Sequence, residues 1–255
     1  MKWHWIQQRH NSRLLLFFNG WGMDEHAVAH LECDDWDVLT VCDYRDLDRC
    51  DSPPGRGWGG LSAGNLFTST PHPQPLPGGE FAVMLRDINY KEIAVICWSM
   101  GVWAYARVSA ELQIQPVRVI AINGTPQPIH ADFGIAPDAY QATLDHFDEA
   151  GREKFFKRMC GSAALFRRFN QQRPQRGLAE QAEELAAIQA ASVVAKERIP
   201  LLGGELIALI SAHDRIMPTA NQQRYWEGRA QCVLLDAPHY PFFLWKRWAD
   251  ILTIF

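Results

Sequence analysis

Ser99 lies in a short segment whose residue types and spacing suit a nucleophilic serine. Ile93 to Cys97 is an apolar run rich in β-branched residues, which is typical of a strand buried on both faces. Apolar residues at helical spacing follow directly, at Met100, Trp103, Ala104, Val108 and Leu112. Ser99 therefore falls on the turn, with the small residues Cys97 and Gly101 two positions away on either side. This C-x-S-x-G pattern is a variant of the G-x-S-x-G nucleophile elbow, although a plain tight turn would show the same spacing.

A nucleophilic serine needs a base that takes its proton and a third group that orients the base. Two predicted strands follow Ser99 in the chain, Leu206 to Ser211 and Gln231 to Leu235. Asp214 comes after the first and His239 comes after the second. Because loops after parallel strands gather at one edge of a sheet, we predict a relay of Ser99, His239 and Asp214. Taken singly, each has a plainer reading, since an aspartate in a turn often caps a helix and a loop histidine often faces solvent.

His213 is the competing candidate for the base, because it is adjacent to Asp214 in the chain. Neighbouring residues on an extended chain point to opposite sides, whereas an acid and its base must face each other. We therefore favour His239.

Acyl transfer to a serine also requires donors for the negative oxygen of the tetrahedral intermediate. The backbone N–H of Met100 follows the nucleophile and lies at the positive end of the predicted helix. The second donor normally comes from the loop after an early strand, and Trp21 lies in such a loop after the apolar run Leu14 to Phe18. We predict Trp21 and Met100 as the oxyanion donors, with the Trp21 indole as a wall of the acyl pocket. The alternative is that Trp21 is only a core aromatic residue beside a tight turn.

The predicted elements alternate in the order that builds a mostly parallel sheet with helices on both faces. Strands are predicted at Leu14 to Phe18, Trp36 to Cys42, Ile93 to Cys97, Pro116 to Asn123, Leu206 to Ser211 and Gln231 to Leu235, and helices at Asp24 to Leu31, Thr219 to Glu227 and about Pro241 to Thr253, the last with Trp245 and Trp248 in the core. The chain order serine, aspartate, histidine is that of α/β-hydrolases. We predict an α/β-hydrolase core of residues 1–124 and 199–255, with a helical lid of residues 125–198 inserted between strands.

Residues 50–79 differ in composition from the rest of the chain. They contain six prolines and seven glycines and have almost no apolar periodicity. Such a composition favours turns and extended chain over packed structure. We expect an insertion loop that the core can lose without unfolding.

Length, charge and composition exclude several classes of protein. The chain has 255 residues, 47% of them hydrophobic, which suits one large α/β domain. A net charge of −4 and a pI near 6.1 argue against a general nucleic-acid binder. No stretch reaches 18 apolar residues, and the six cysteines form no C-x-x-C pair. We expect a cytoplasmic monomer with free thiols, no membrane attachment, no metal and no cofactor.

Three segments together resemble one family of α/β-hydrolases. They are the glycine turn Asn19 to Asp24, the elbow Trp98 to Trp103 and the histidine loop Pro238 to Pro241, accompanied by Asp214. They resemble the BioG type of pimeloyl-[acyl-carrier protein] methyl ester esterase, an enzyme of biotin synthesis, and the likeness covers most of the chain. The resemblance implies that the enzyme removes the methyl group that masks the distal carboxylate of pimeloyl-carrier protein, releasing methanol and ending chain elongation. Cys97 departs from the usual glycine, and residues 50–79 have no place in the family pattern.

The predicted lid carries a local excess of positive charge. Between Ala150 and Arg176 there are eight basic residues and one glutamate, a net charge of +7. Four phenylalanines interleave with them and favour an apolar underside beneath a basic outer face: Phe155, Phe156, Phe166 and Phe169. An acyl carrier protein, which is acidic, would suit this surface, as would an anionic membrane or RNA, although a solvated helix face would look the same. We expect the carrier contacts to come from Arg152, Lys157, Arg158, Arg167 and Arg168.

Motif spacing alone supports a serine hydrolase, and two other functions remain open. A general carboxylesterase or thioesterase would use the same triad. Hydrolysis rates on methyl esters and thioesters of equal chain length would distinguish these enzymes from a methyl esterase that acts on carrier-bound substrate. A catalytically silent α/β-hydrolase that serves as a binding module is the alternative from another class. Labelling of Ser99 by a fluorophosphonate would argue against it.

Overall fold

The computed structural model describes residues 1–47, 81–82, 84–85, 89–194 and 203–254. Seven strands form one sheet in the order β1-β3-β2-β4-β5-β6-β7. They are β1 Lys2–Gln7, β2 Arg13–Phe18, β3 Trp36–Cys42, β4 Glu92–Trp98, β5 Arg118–Ile122, β6 Glu205–Ser211 and β7 Gln231–Leu235. Among these described strands β1 alone is antiparallel to its neighbour, which confirms the predicted mostly parallel sheet.

The edge strand β1 is absent from the sequence prediction. It pairs with β3, with Lys2 opposite Cys42. Trp3 and Trp5 are partly buried and pack against the core, while the alternating residues Lys2 and His4 are exposed. Because an edge strand of this kind has no continuous apolar run, it lacks the signal that identifies the central strands.

Alternate side chains of the central strands form two hydrophobic clusters, one on each face of the sheet. In β2, Leu14, Leu16 and Phe18 belong to one cluster. Leu15 and Phe17 belong to the other. All five are fully buried, as expected of a strand with both faces covered.

Seven helices with described bounds accompany the sheet, together with short 3₁₀ turns. The helices are α1 Met100–Leu112, α2 Pro137–Asp145, α3 Glu149–Cys160, α4 Ala163–Phe169, α5 Leu178–Val194, α6 Thr219–Trp226 and α7 Trp248–Leu252; the turns are Glu25–Val28, Asn170–Gln172 and Phe242–Leu244. The prediction of one closing helix is wrong, because the chain is extended at Trp245, with φ −119° and ψ 152°. Asp250 accepts a hydrogen bond from Arg247 N at 3.0 Å, so a new helix begins there. Trp248 is fully buried as predicted, whereas Trp245 is only partly buried.

The helices α2 to α5 lie between β5 and β6 in the chain, and we call residues 137–194 the helical segment. Within it, Tyr140 Oη donates to Leu185 O at 2.8 Å. The segment also contacts the loop after β3, where Tyr44 N donates to Glu184 Oε1 at 2.9 Å. The division of the chain into a core and a lid stays a prediction.

Other sequence predictions concern the insertion, the thiols and the membrane. Residues 50–79, predicted as an insertion loop, lie outside the described residues. The described cysteines Cys33, Cys42, Cys97, Cys160 and Cys232 are free thiols. None of the described helices has both the length and the apolar character that crossing a membrane requires.

Candidate active site

Ser99 lies on a strained turn between β4 and α1. Its backbone has φ 55° and ψ −119°, a conformation that costs a non-glycine residue about 1–3 kcal/mol. A Cβ at Gly101 would lie 2.1 Å from Phe18 O, so this position tolerates only glycine. A Cβ at Gly124 would lie 2.4 Å from Ser99 O. The predicted elbow is therefore a tight turn. It is possible only because glycines at positions 101 and 124 leave room for the neighbouring backbone.

The structure brings Ser99, His239 and Asp214 into hydrogen-bond contact. Ser99 Oγ lies 3.0 Å from His239 Nε2, and His239 Nδ1 lies 2.7 Å from Asp214 Oδ2. The His239 and Asp214 side chains are almost completely shielded from solvent, with exposed fractions of 1% and 0%. With the proton on Nδ1 donated to Asp214, Nε2 is free to accept the serine proton. This arrangement can make Ser99 a nucleophile.

The Asp214 carboxylate is held by several donors besides His239. Its Oδ1 accepts from Ile216 N at 2.8 Å and from Met217 N at 2.9 Å. Its Oδ2 also accepts from Gln222 Nε2 at 2.9 Å. A buried carboxylate requires such donors, and here they fix the oxygen that faces His239. The competing histidine, His213, is exposed and lies 2.9 Å from Asp236, away from this relay.

Two residues that sequence reasoning missed hold the backbone of His239. Trp98 Nε1 donates to His239 O at 3.0 Å, and Asn123 Nδ2 donates to the same oxygen at 2.9 Å. Asn123 is itself fixed, because Ser211 N donates to its Oδ1 at 2.7 Å. The sequence feature that could have identified Asn123 is its position, because it is a polar residue directly after the buried strand β5, at the edge of the sheet where the site forms.

The predicted oxyanion donors, Trp21 and Met100, both line the cavity that contains Ser99. Among the hydrogen bonds of the described residues, neither backbone N–H has an acceptor. The loop of Trp21 is braced by Asn19, whose Nδ2 donates to Asp24 O at 2.8 Å and whose Oδ1 accepts from Gly20 N at 2.9 Å. Both N–H groups are thus available to a ligand at Ser99.

The cavity at Ser99 has a volume of about 220 Å³ and a largely apolar wall. That wall includes Ile135, Tyr140, Phe155, Met159, Leu185 and Ile216. Of the four phenylalanines predicted for the underside of the lid, only Phe155 is among the described lining residues. Phe156, Phe166 and Phe169 are buried in a hydrophobic cluster and are not among the described lining residues of the cavity. Consecutive residues on a helix point about 100° apart, and of Phe155 and Phe156 only Phe155 faces the cavity.

The basic residues of the helical segment fall into two groups. Lys154, Lys157, Arg158, Arg167 and Arg168 are exposed, and no ion pair joins them to the described acidic residues. Arg152 is mostly buried, with 16% of its side chain exposed, and pairs with Glu149 at 2.5 Å. Arg173 lies 3.5 Å from Glu153. The predicted net charge of +7 therefore overstates the free charge, because partners such as Glu149 lie outside the range over which it was counted.

Arg176 belongs to a buried ion cluster with Asp43 and Glu184, beside the Trp21 loop. The side chains are 7%, 3% and 0% exposed, and Arg176 contacts both carboxylates. Burial raises the pKa of Glu184 above its ordinary value, even with Arg176 beside it. Burial also acts to raise the pKa of Asp43, but the hydrogen bond from Arg45 and the charge of Arg176 outweigh it and hold that pKa well below its usual range.

One group of residues in the described chain has metal-ligand types close together. Ligand atoms of Asp24, Glu25 and His26 lie within 4.8 Å of one another. The Asp24 oxygens already accept from His26 N at 3.1 Å and from Gln175 N at 2.7 Å. None of the three lines the Ser99 cavity. Their contacts fit a capped 3₁₀ turn.

Residues 81–251 match the sequence model of a family described as pimeloyl-ACP methyl esterase BioG. A malonyl-[acyl-carrier protein] O-methyltransferase from Bacteroides fragilis is 35% identical to this chain over 230 residues. The match covers 89% of this chain and 39% of that protein, so the chain spans well under half the length of this relative.

Comparison with solved structures agrees with the match to the family model. The selenomethionine crystal structure of BioG from Haemophilus influenzae matches with a TM-score of 0.76 and 30% identity, over 98% of this chain and 99% of that one. An enol-lactonase from Burkholderia xenovorans matches with a TM-score of 0.62 and 16% identity, over 99% and 93% of the two chains, and this likeness concerns the fold alone. The sheet topology and these matches confirm the predicted α/β-hydrolase fold.

Proposed function

The chain belongs to the BioG family of pimeloyl-ACP methyl esterases, an α/β-hydrolase family, and on that premise we propose that it hydrolyses the methyl ester of pimeloyl-acyl-carrier protein in biotin synthesis. The products are pimeloyl-carrier protein and methanol. The observation that carries the proposal is the hydrogen-bonded series from Ser99 through His239 to Asp214.

In the proposed acylation step, Ser99 Oγ attacks the carbonyl carbon of the methyl ester. His239 Nε2 takes the serine proton, and Asp214 stabilises the resulting imidazolium. The N–H groups of Trp21 and Met100 donate to the oxygen that becomes negative. When the intermediate collapses, His239 returns the proton to the departing methoxide, so methanol leaves and the pimeloyl chain is esterified to Ser99.

Deacylation repeats the same chemistry with water. His239 takes a proton from the water as it attacks the acyl-serine carbonyl, and the second intermediate expels Ser99 Oγ, which regains that proton. The new carboxyl group loses its own proton at neutral pH. The carrier stays attached throughout, because the thioester at the other end of the acyl chain does not react.

The cavity suits a neutral acyl chain with an anionic group at its outer end. Its aliphatic and aromatic wall favours methylene groups. Among the described lining residues Arg158 and Arg215 carry charge, and none is acidic. The acyl chain is attached to the carrier protein through a phosphopantetheine arm, which contains a phosphate group. Arg158 and Arg215 are exposed, so they can contact that phosphate.

The carrier protein itself would bind the exposed cations of the helical segment, Lys157, Arg158, Arg167 and Arg168. Acidic partners are attracted and oriented by such groups, which act mainly on the association rate. Arg152 is a weaker candidate than the sequence implies, because Glu149 already neutralises it.

The test uses carrier protein loaded with pimeloyl methyl ester and measures the mass of the carrier after incubation. Methyl esterase activity exchanges the methyl group for a proton and leaves the thioester intact. Loss of the whole acyl chain would instead indicate a thioesterase, and hydrolysis of small esters alone would indicate a general carboxylesterase. Ser99→Ala is the control and should leave the substrate unchanged. A wild-type protein that neither hydrolyses an ester nor reacts with a fluorophosphonate would be a binding module.

A further inference from the structure

The loop that carries Trp21 is held by the helical segment as well as by its own side chains. Gly22 N donates to Glu184 Oε2 at 3.0 Å, and Gln181 Nε2 donates to Gly22 O at 2.7 Å. Both polar backbone groups of Gly22 are thus bound by α5. Gly22 has φ +72°, so its conformation depends on glycine.

The side chain of Trp21 is fixed by α5, by α3 and by the loop that precedes α3. Its Nε1 donates to Gln181 O at 2.7 Å. Its ring meets Phe147 and Phe155 edge-on, with centroids 4.9 Å away in each case. Trp21 therefore cannot turn unless α5 or these rings also move.

Both α5 side chains are buried polar groups. Gln181 is 1% exposed and Glu184 is 0% exposed. Burial of a carboxylate is costly, and here three donors offset the cost: Gly22 N, Tyr44 N and Arg176. One of these donors, Gly22 N, lies in the Trp21 loop, next to the cavity that contains Ser99.

The geometry of the loop indicates what these contacts do. The Gly20–Trp21 peptide carries the Trp21 N–H. On one side Gly20 N is bound by Asn19, and on the other Gly22 is bound by Glu184 and Gln181. Fixing both neighbours fixes the direction of the N–H between them.

We propose that Glu184 and Gln181 are positioning residues for the oxyanion donor Trp21, so that the helical segment completes the oxyanion hole. The inference rests on the proposed function, since it assumes that the Trp21 N–H stabilises the negative oxygen. It assigns to α5 a part in the reaction, although neither side chain touches the substrate.

The experiment compares Glu184→Gln and Gln181→Met with Glu183→Gln. A glutamine at 184 offers one acceptor oxygen, so either Gly22 N or Tyr44 N loses its partner. A methionine at 181 keeps the length but cannot donate to Gly22 O. Glu183 is the matched control, because its side chain is 63% exposed and binds Arg45 instead of the loop.

Four quantities are measured: kcat and KM for p-nitrophenyl butyrate, affinity for an alkyl trifluoromethyl ketone, and affinity for the matching methyl ketone. Ser99 adds to the trifluoromethyl ketone, which gives an oxygen anion in the oxyanion hole. Glu184→Gln and Gln181→Met should each lose about 10- to 100-fold in kcat, with KM nearly unchanged. Affinity for the trifluoromethyl ketone should fall by the same factor as kcat/KM, while that for the methyl ketone stays constant. Glu183→Gln should match the wild type.

Two results would overturn the inference. One is wild-type kcat and wild-type trifluoromethyl ketone affinity in a folded variant. The other is an equal loss for both ketones, which indicates general damage to the cavity. If Glu184→Gln does not fold, Gln181→Met decides the question. Because these probes need no carrier, failure of the wild type on carrier-bound methyl ester would count against the proposed substrate and leave this inference standing.

Discussion

At the scale of single residues, His239 is fixed through both its ring and its backbone. Asp214 orients the ring, and Trp98 and Asn123 both donate to the carbonyl oxygen. A base held at both points loses little entropy when it takes the serine proton. This explains why the buried side chains of Trp98 and Asn123 both donate hydrogen bonds to the backbone oxygen of His239.

Replacing Trp98 by phenylalanine should therefore reduce catalysis more than stability. The change removes the indole donor to His239 O, and we expect kcat for p-nitrophenyl butyrate to fall about tenfold while KM changes little. Trp103→Phe is the matched control. Trp103 is equally buried, and its indole nitrogen has no partner among the described residues. Equal activity losses in the two variants would show that Trp98 acts only by filling space.

The contact among Ser99, His239 and Asp214 could be predicted from the sequence, because each follows a strand with a clear apolar run. Asn123, Gln222 and Glu184 could not be predicted in the same way. Their roles depend on partners far away in the chain, as with Asn123 and His239, which are 116 residues apart. Local patterns indicate where a polar residue lies, but not which distant group it meets.

At the scale of elements, the site depends on how closely β2, β4 and α1 approach one another. Gly101 is the point of contact, since any Cβ there would lie 2.1 Å from Phe18 O. We expect Gly101→Ala to destabilise the protein by more than about 4 kcal/mol. Gly177→Ala is the control, because its Cβ would have no neighbour within 4 Å. Thermal unfolding of the two variants tests this, and a Gly101→Ala protein with wild-type stability would contradict the steric account.

The buried ion cluster joins α5 to the loop after β3, and it should make stability depend on pH. The pKa of Asp43 is lowered in the fold from its ordinary 3.8, with its carboxylate held by Arg45 and Arg176 against the effect of burial. Its contribution is therefore fully present above about pH 5, declines as the pH falls below that ordinary value, and is lost completely only below the lowered pKa of the folded protein. Asp43→Asn should reduce the free energy of unfolding by roughly 3 kcal/mol at neutral pH.

Urea unfolding between pH 6 and pH 3 measures this dependence. The difference between wild type and Asp43→Asn should shrink as the pH falls below the ordinary pKa of Asp43, because the unfolded wild-type chain then binds a proton at Asp43 that the folded protein does not. Asp132→Asn, at an exposed carboxylate, should show no such difference. A stability difference that is constant with pH would contradict the role assigned to Asp43.

Strands were predicted correctly from the sequence where an apolar run lies between clear turn residues. The bounds of β3 and β7 match their predicted ranges, since both strands stand between clear turn residues. Prediction failed for β1, an edge strand with mixed polarity, and for the closing helix, where Arg247 and Asp250 start a new helix. The sequence also did not indicate which of the four phenylalanines of the helical segment lines the cavity, because the spacing of aromatic residues does not say which neighbour each one meets.

At the scale of the whole molecule, the exposed cations of the helical segment should distinguish carrier-bound from free substrates. Lys157→Glu with Arg167→Glu reverses two exposed charges that do not line the cavity. We expect a higher KM for carrier-bound methyl ester, about tenfold for each 1.4 kcal/mol of binding lost, and little change for p-nitrophenyl butyrate. The effect should diminish as salt increases.

Arg224→Glu, an exposed charge on α6, is the control for that double variant. It should leave KM for the carrier substrate near the wild-type value. Equal losses on the carrier-bound and the small substrate would indicate a damaged cavity, and no loss on either would show that these cations form only a solvated face.

The most direct test of the whole account is a covalent one. Carrier protein would be loaded with an acyl chain that ends in a fluorophosphonate in place of the methyl ester, and the adduct identified by mass spectrometry of the intact complex and of its peptides. We predict one stable adduct, on Ser99, that still contains the carrier, with none in Ser99→Ala and slow formation in His239→Ala. An adduct on another residue, or no reaction with a folded wild-type protein, would contradict the assignment of Ser99 as the nucleophile for the distal ester.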